Sequence, residues 1–191
     1  PAFGNTLFFT LVTVLLETIL GIGMALVMAK DFHGRGLLRA AVLVPWAIPT
    51  AITAKLWAFL FSEQGIVNSI FHAHVAWQTD PWAARFSIIL ADVWKTTPFM
   101  ALLILAGLQM IPKDLYEAAR MDGANAWQRF TRITLPLAKN SIIVAVLFRM
   151  LDALRMYDLP YIMVGPNPDS PTATLSCLLY TSDAADDSLR G

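Results

Sequence analysis

Three near-continuous apolar runs, each long enough to cross a lipid bilayer, govern what this chain can fold into. A hydrocarbon core of about 30 Å takes about 20 helical residues, and in lipid only a helix or a closed barrel satisfies its own backbone. Residues 7–28 carry no ionisable residue but Glu17, residues 40–61 none but Lys55, and residues 86–110 only Asp92 and Lys95. A fourth run, 141–164, has apolar ends but holds Arg149, Asp152, Arg155 and Asp158. Composition agrees: 57% of the chain is hydrophobic and 15% charged, whereas about a quarter of a soluble domain is charged. The expected fold is an all-α polytopic transmembrane helical bundle of about four spans.

Loop charge sets direction, because short loops rich in Lys and Arg stay cytoplasmic. Lys30, Arg35 and Arg39 follow the first span; Lys113, Arg120, Arg129, Arg132 and Lys139 follow the third; residues 62–84 and 165–176 hold no Lys or Arg. The chain is therefore expected to begin outside and to place both basic loops in the cytoplasm. Pro45, Pro49 and Pro98 lie inside spans and favour kinks, either in bent packing helices or at a gate. Gly21 and Ala25 have the small-residue spacing of a close helix approach.

Other functions are excluded by what is missing. A net charge of zero offers nucleic acid no basic surface. Cys177 is the one cysteine, His72 and His74 read as loop polarity, and no metal-ligand spacing occurs. There is no Gly-x-x-x-x-Gly-Lys-Ser/Thr loop to cradle phosphate. No catalytic residue, metal or cofactor is expected, so the driving energy comes from elsewhere. The start, Pro1 to Thr6 with no positive charge, does not read as a cleaved leader; lacking Met, it reads as cut from a longer chain.

The basic loop after the third span is itself patterned. Pro112 suits a helix start, Gly123 the left-handed turn after a helix end, Asn125 a new cap and Pro136 a second stop. Two short helices joined at Gly123 result. Leu115, Ala118 and Ala119, then Trp127, Phe130 and Ile133, give them apolar faces. Pattern alone leaves open a partner's groove or the lipid headgroups.

Glu117-Ala118-Ala119, Asp122-Gly123-Ala124 and Ile133-Thr134-Leu135-Pro136 resemble the EAA loop of permease subunits of bacterial ABC importers, type I. The resemblance runs from about residue 5 to residue 176. It implies that Glu117, Ala118, Ala119, Asp122, Gly123, Trp127, Phe130, Ile133, Leu135 and Pro136 dock into a dimer of separate ATP-binding subunits. It also implies alternating access, a second permease subunit, an extracytoplasmic sugar-binding protein and a place in the inner membrane. Asp92-Val93-Trp94, Pro98-Phe99 and Leu151-Asp152-Ala153-Leu154-Arg155 resemble the carbohydrate branch, of maltose and trehalose type. A self-contained secondary transporter or channel is the alternative, since intramembrane charges can couple ions.

Asp92, Lys95, Thr96 and Phe99 share one face of the third span, and Arg149, Asp152, Ala153 and Met156 repeat that spacing on the fourth. Intramembrane charges cost about 2.5–3.5 kcal/mol each on insertion scales, so they mark either ion pairs or a substrate path. The resemblance implies sugar contact from these two helices. Glu17 and Lys55, without a polar neighbour at helical spacing, read as structural or snorkelling.

From residue 177 the text changes to Cys-Leu-Leu-Tyr-Thr-Ser-Asp-Ala-Ala-Asp-Asp. That string resembles an in-frame translation of a transposase-type sequencing adapter; composition alone also permits an acidic exterior tail. The expected division is therefore a permease domain over residues 1–176, lacking a span at each end, and a non-native segment over 177–191.

Overall fold

Leucine, alanine and methionine fill the long apolar runs, and with no water to bond the backbone they must pair it internally as helix. The computed structural model describes residues 2–165 and 170–190, and among these there is helix and no strand. In chain order the α-helices are α1 (Ala2–Ala29), α2 (Arg35–Ala47), α3 (Thr50–Leu60), α4 (Ile66–Phe71), α5 (Pro81–Gln109) and α6 (Lys113–Met121). Then come α7 (Ala126–Arg129), a π-helical turn (Phe130–Thr134), α8 (Leu135–Leu154), α9 (Asp158–Met163) and α10 (Leu175–Arg190). Helices α1, α5 and the continuous stretch Ala126–Leu154 are each long and apolar enough to cross a membrane. Phe3, Leu11, Leu15 and Ile19 lie outward on α1, each about 60% exposed, as a lipid-facing or subunit-facing stripe requires.

Residues group into two compact units. One comprises residues 1–15, 47–95 and 150–191; the other comprises 16–46 and 96–149. The first packs Phe9, Ala54, Phe61, Ile88, Ala91, Met156, Leu159 and Met163 into its core, with α3 against α9. Asn5 Nδ2 donates to the Ala173 carbonyl at 2.9 Å, and Thr174 Oγ1 to the Met156 carbonyl at 2.6 Å. Cys177 is buried beside them, whereas Leu178, Leu179 and Tyr180 of α10 are exposed.

The second unit buries Ala25, Met28, Met100, Ala101, Ile104 and Ala145. Small residues set its spacing. A Cβ on Gly21 would meet Met100 Cβ at 3.1 Å, and one on Gly107 would lie 2.4 Å from Ser141 Cβ. Because the Ser141 Cβ cannot rotate away, Gly107→Ala forces α5 and α8 apart. Overpacking of this kind costs about 1–3 kcal/mol. The thermal midpoint of the purified full-length protein should fall accordingly, and Ser141→Gly in the same chain should restore it.

Two spans differ from the sequence expectation. Residues 40–61 do not form one bent helix: the run parts at Ile48 and Pro49 into α2 and α3. Pro49 supplies no N–H, and the residue before a proline avoids the helical region. Pro45 and Pro98, by contrast, sit inside continuous α2 and α5. The fourth span is shifted. Its helix begins at Ala126, directly from the second loop helix, and stops at Leu154 instead of running 141–164. Pro136 therefore ends nothing. The π turn before it lets the Leu135 N–H reach the Phe130 carbonyl, so the register slips where the next donor is missing.

Candidate coupling surface and buried polar groups

Local signals build the elbow between α5 and α8. Pro112 precedes α6 in an extended conformation, with ψ 134°, where no N–H is needed. Gly123 has φ +80°, a left-handed conformation that a Cβ resists. Its N–H donates to the Arg120 carbonyl at 3.1 Å, and the Ala124 N–H to the Ala119 carbonyl at 3.0 Å. Those two bonds make a Schellman turn and satisfy carbonyls at the end of α6. Asn125 starts α7 by a reciprocal cap. Its Oδ1 accepts from the Gln128 N–H at 2.8 Å, while its own N–H donates to Gln128 Oε1 at 3.0 Å.

Side chains tie the elbow to its own unit. The Tyr116 and Thr134 hydroxyls are 2.7 Å apart, and Lys113 Nζ donates to Asp31 at 3.1 Å. Asp31 also pairs with Arg35. The hydrogen bond and charge of Lys113, then the charge of Arg35, hold the Asp31 carboxyl below its ordinary value. A carboxyl lowered in this way keeps its pairing at neutral pH and loses it only as pH falls through that lowered value.

The elbow presents an uncovered surface. Glu117, Ala118, Asp122, Gly123 and Pro136 are exposed, and Ala119, Phe130 and Leu135 are half-buried. Met121 is 89% exposed and Trp127 70%, with the Trp127 ring 5.8 Å from that of Phe130. Ile133 departs from the expected face: it packs against the core with Tyr116. A π turn is longer than an α turn, which sets Ile133 off the Trp127–Phe130 side.

The eight residues read as a polar path sort into two groups. In the second unit Arg149, 1% exposed, is held by Glu17, 0% exposed. Arg149 Nε donates to Glu17 Oε2 at 2.6 Å, and Arg149 Nη2 to Oε1 at 3.1 Å. Thr96 Oγ1 donates to the same Oε1 at 2.6 Å. Bidentate pairing of this kind fixes geometry as well as charge, and it links α1, α5 and α8. Phe99 stacks on Trp46, ring centroids 5.7 Å apart.

The first unit holds the rest. Lys95 Nζ donates to the Ile48 carbonyl at 2.6 Å, an acceptor freed where the second span parts. Asp92, one turn before Lys95 on α5, is buried, and Asp152 of α8 is exposed. Trp57 and Trp94 meet edge to face at 5.6 Å, and the buried Trp57 Nε1 and Thr53 Oγ1 have no hydrogen-bond partner among the described residues. Ala153 is buried. Met156 does not extend a polar helix face: α8 has already ended, and Met156 lies in the apolar core. Spacing alone could not find Glu17's role, because its partners come from other helices. The available signal was the rule that a buried membrane charge has a partner.

Known proteins are similar to this chain in sequence and in fold. A trehalose/maltose transport system permease protein of Thermococcus litoralis is 49% identical over 180 residues, 92% of this chain and 61% of the relative. A sulfoquinovosyl glycerol transport system permease protein of Agrobacterium fabrum is 42% identical over 181 residues, 92% of this chain and 59% of the relative. The chain thus spans about three fifths of the length of both. The crystal structure of a bacterial alginate ABC transporter, in complex with an alginate pentasaccharide-bound periplasmic protein, superposes with a TM-score of 0.84 at 28% identity. It covers 97% of this chain and 67% of that one. The family described as binding-protein-dependent transport system inner membrane component matches residues 17–179, and this chain belongs to it.

Proposed function

We propose that this chain is the core of a permease subunit that moves a sugar across the inner membrane, driven by a separate ATP-binding subunit. The observation that carries the reading is the elbow. It is closed by the turn at Gly123, capped at Asn125 and tied to its unit, yet it leaves Met121 and Trp127 uncovered. Exposed apolar side chains on a rigid helix pair suit a partner's groove. Glu117, Ala118, Ala119, Asp122, Gly123, Trp127, Phe130, Leu135 and Pro136 form this docking surface, on the cytoplasmic side by the charge rule. A secondary transporter needs no such surface.

The trehalose/maltose and sulfoquinovosyl glycerol permeases among the relatives support a sugar as cargo, and the periplasmic protein on the alginate transporter supports an extracytoplasmic binding protein as donor. A second permease subunit completes the pathway in this reading. Within the first unit, Asp92, Lys95 and Asp152 stand as candidates for sugar hydroxyls, with Trp57 and Trp94 offering ring faces. Thr96 and Arg149 are assigned to holding helices together. Residues 177–191 are proposed to be adapter-derived; genomic DNA coding for them in independent clones would refute that.

The test is reconstitution of the full-length protein with its partner subunits in proteoliposomes. ATP-dependent accumulation of labelled trehalose or maltose is expected. Accumulation driven by an ion gradient without ATP would overturn the proposal.

A further inference from the structure

We propose that the second unit holds an anionic phospholipid of the cytoplasmic leaflet, its phosphate between the first basic loop and α6 and an acyl chain along α1 and α2. The leaflet rests on the orientation proposed above; the site does not. A cavity of about 420 Å³ is lined by Lys30, Arg35, Lys113, Arg120 and Asp31. Asp31 is engaged by Lys113 and Arg35. Neither Lys30 nor Arg120 has a side-chain partner among the described residues, so two cations remain uncompensated at one mouth. Tyr116 and Thr134 also line it.

Beside it runs an apolar groove of about 440 Å³, whose lining includes Gly23, Val27, Leu38 and Val42. Val27 precedes Lys30, and Leu38 follows Arg35, by three residues, a rise of about 5 Å along a helix. The groove therefore ends next to the cations. Arg39 Nη2 donates to the Met28 carbonyl at 3.0 Å, fastening α2 to α1 at the groove that Met28 lines. A cationic cavity next to an apolar groove, both lined from the last turn of α1, matches an amphiphile with an anionic head. Basic pockets between helix ends at the cytoplasmic face are known to take anionic headgroups.

The occupant would touch α6 on its Lys113, Tyr116 and Arg120 side, leaving Ala118 and Met121 exposed for a protein partner. Lipid would then brace the elbow from within while the ATP-binding subunit grips it from outside.

Gly23 gives a clean handle. A Cβ there meets nothing within 4 Å, and a larger side chain improves helix propensity, so Gly23→Leu fills the groove without straining the protein. The experiment places the purified full-length protein in nanodiscs of equal phosphatidylglycerol and phosphatidylcholine and counts tightly held lipids by native mass spectrometry. Preference for phosphatidylglycerol is expected, falling about thirtyfold in Lys30→Gln/Arg120→Gln, from about 1 kcal/mol per cation. Gly23→Leu should lower it several-fold with every charge in place. Inorganic phosphate at millimolar concentration should not displace the lipid. Unchanged preference in both variants overturns the proposal, as does displacement by phosphate alone or a groove filled by another span of the full protein. The readout needs no transport, so its failure is separable from failure of the sugar-importer reading.

Discussion

Glu17→Gln is expected to lower the stability of the folded protein by about 3–5 kcal/mol, the usual cost of stranding one member of a buried ion pair. The substitution keeps the size of the side chain and removes its charge. Arg149, 1% exposed, then loses the carboxylate 2.6 Å from its Nε. Thr96 loses a charged acceptor as well. The measurement is the thermal midpoint of the full-length protein in detergent, with monodisperse yield as a second reading. Replacing both partners, Glu17→Leu with Arg149→Met, should recover most of the loss, because the desolvation cost of both charges disappears together. If the single and double variants lose equal stability, the pair is not what holds α1, α5 and α8.

Glu117→Lys should all but abolish ATP-driven uptake while leaving the protein folded. The side chain is exposed in the middle of α6, where Glu and Lys have similar helix propensity. A misplaced charge at a desolvated interface costs about 2–5 kcal/mol, which weakens the partner complex by roughly thirtyfold or more. Copurification of the ATP-binding subunit and the uptake rate should fall together, with the melting midpoint unchanged. Normal copurification from both Glu117→Lys and Gly123→Pro would place docking elsewhere.

These two predictions rest on features that the sequence disclosed unequally. The elbow could be read almost whole, because Pro112, Gly123 and Asn125 act within one or two turns of themselves. Nothing outside residues 112–129 is needed to end α6 or to cap α7. The buried pair could not be read, since Glu17 and Arg149 are 132 residues apart and no periodicity links them. The parted second span lies between these cases. Pro45 and Pro49 announced a bend, but whether a proline breaks a helix depends on what receives the freed carbonyl, and that is Lys95 from α5. Pro136 misled for the same reason: its missing donor is absorbed by a π turn that composition does not reveal. Ile133, expected on one apolar face with Trp127 and Phe130, packs against the core beside Tyr116 because the π turn changes its register.

The central claim, that the elbow faces the cytoplasm and is gripped there by an ATP-binding subunit, has a direct test. Met121, 89% exposed, is changed to Cys in a full-length protein whose other cysteines are Ser, and labelled with a membrane-impermeant maleimide. The account predicts labelling in inside-out vesicles, none in right-side-out vesicles, and protection once the ATP-binding subunit is added. Labelling from the outside, or equal labelling with and without that subunit, would contradict it.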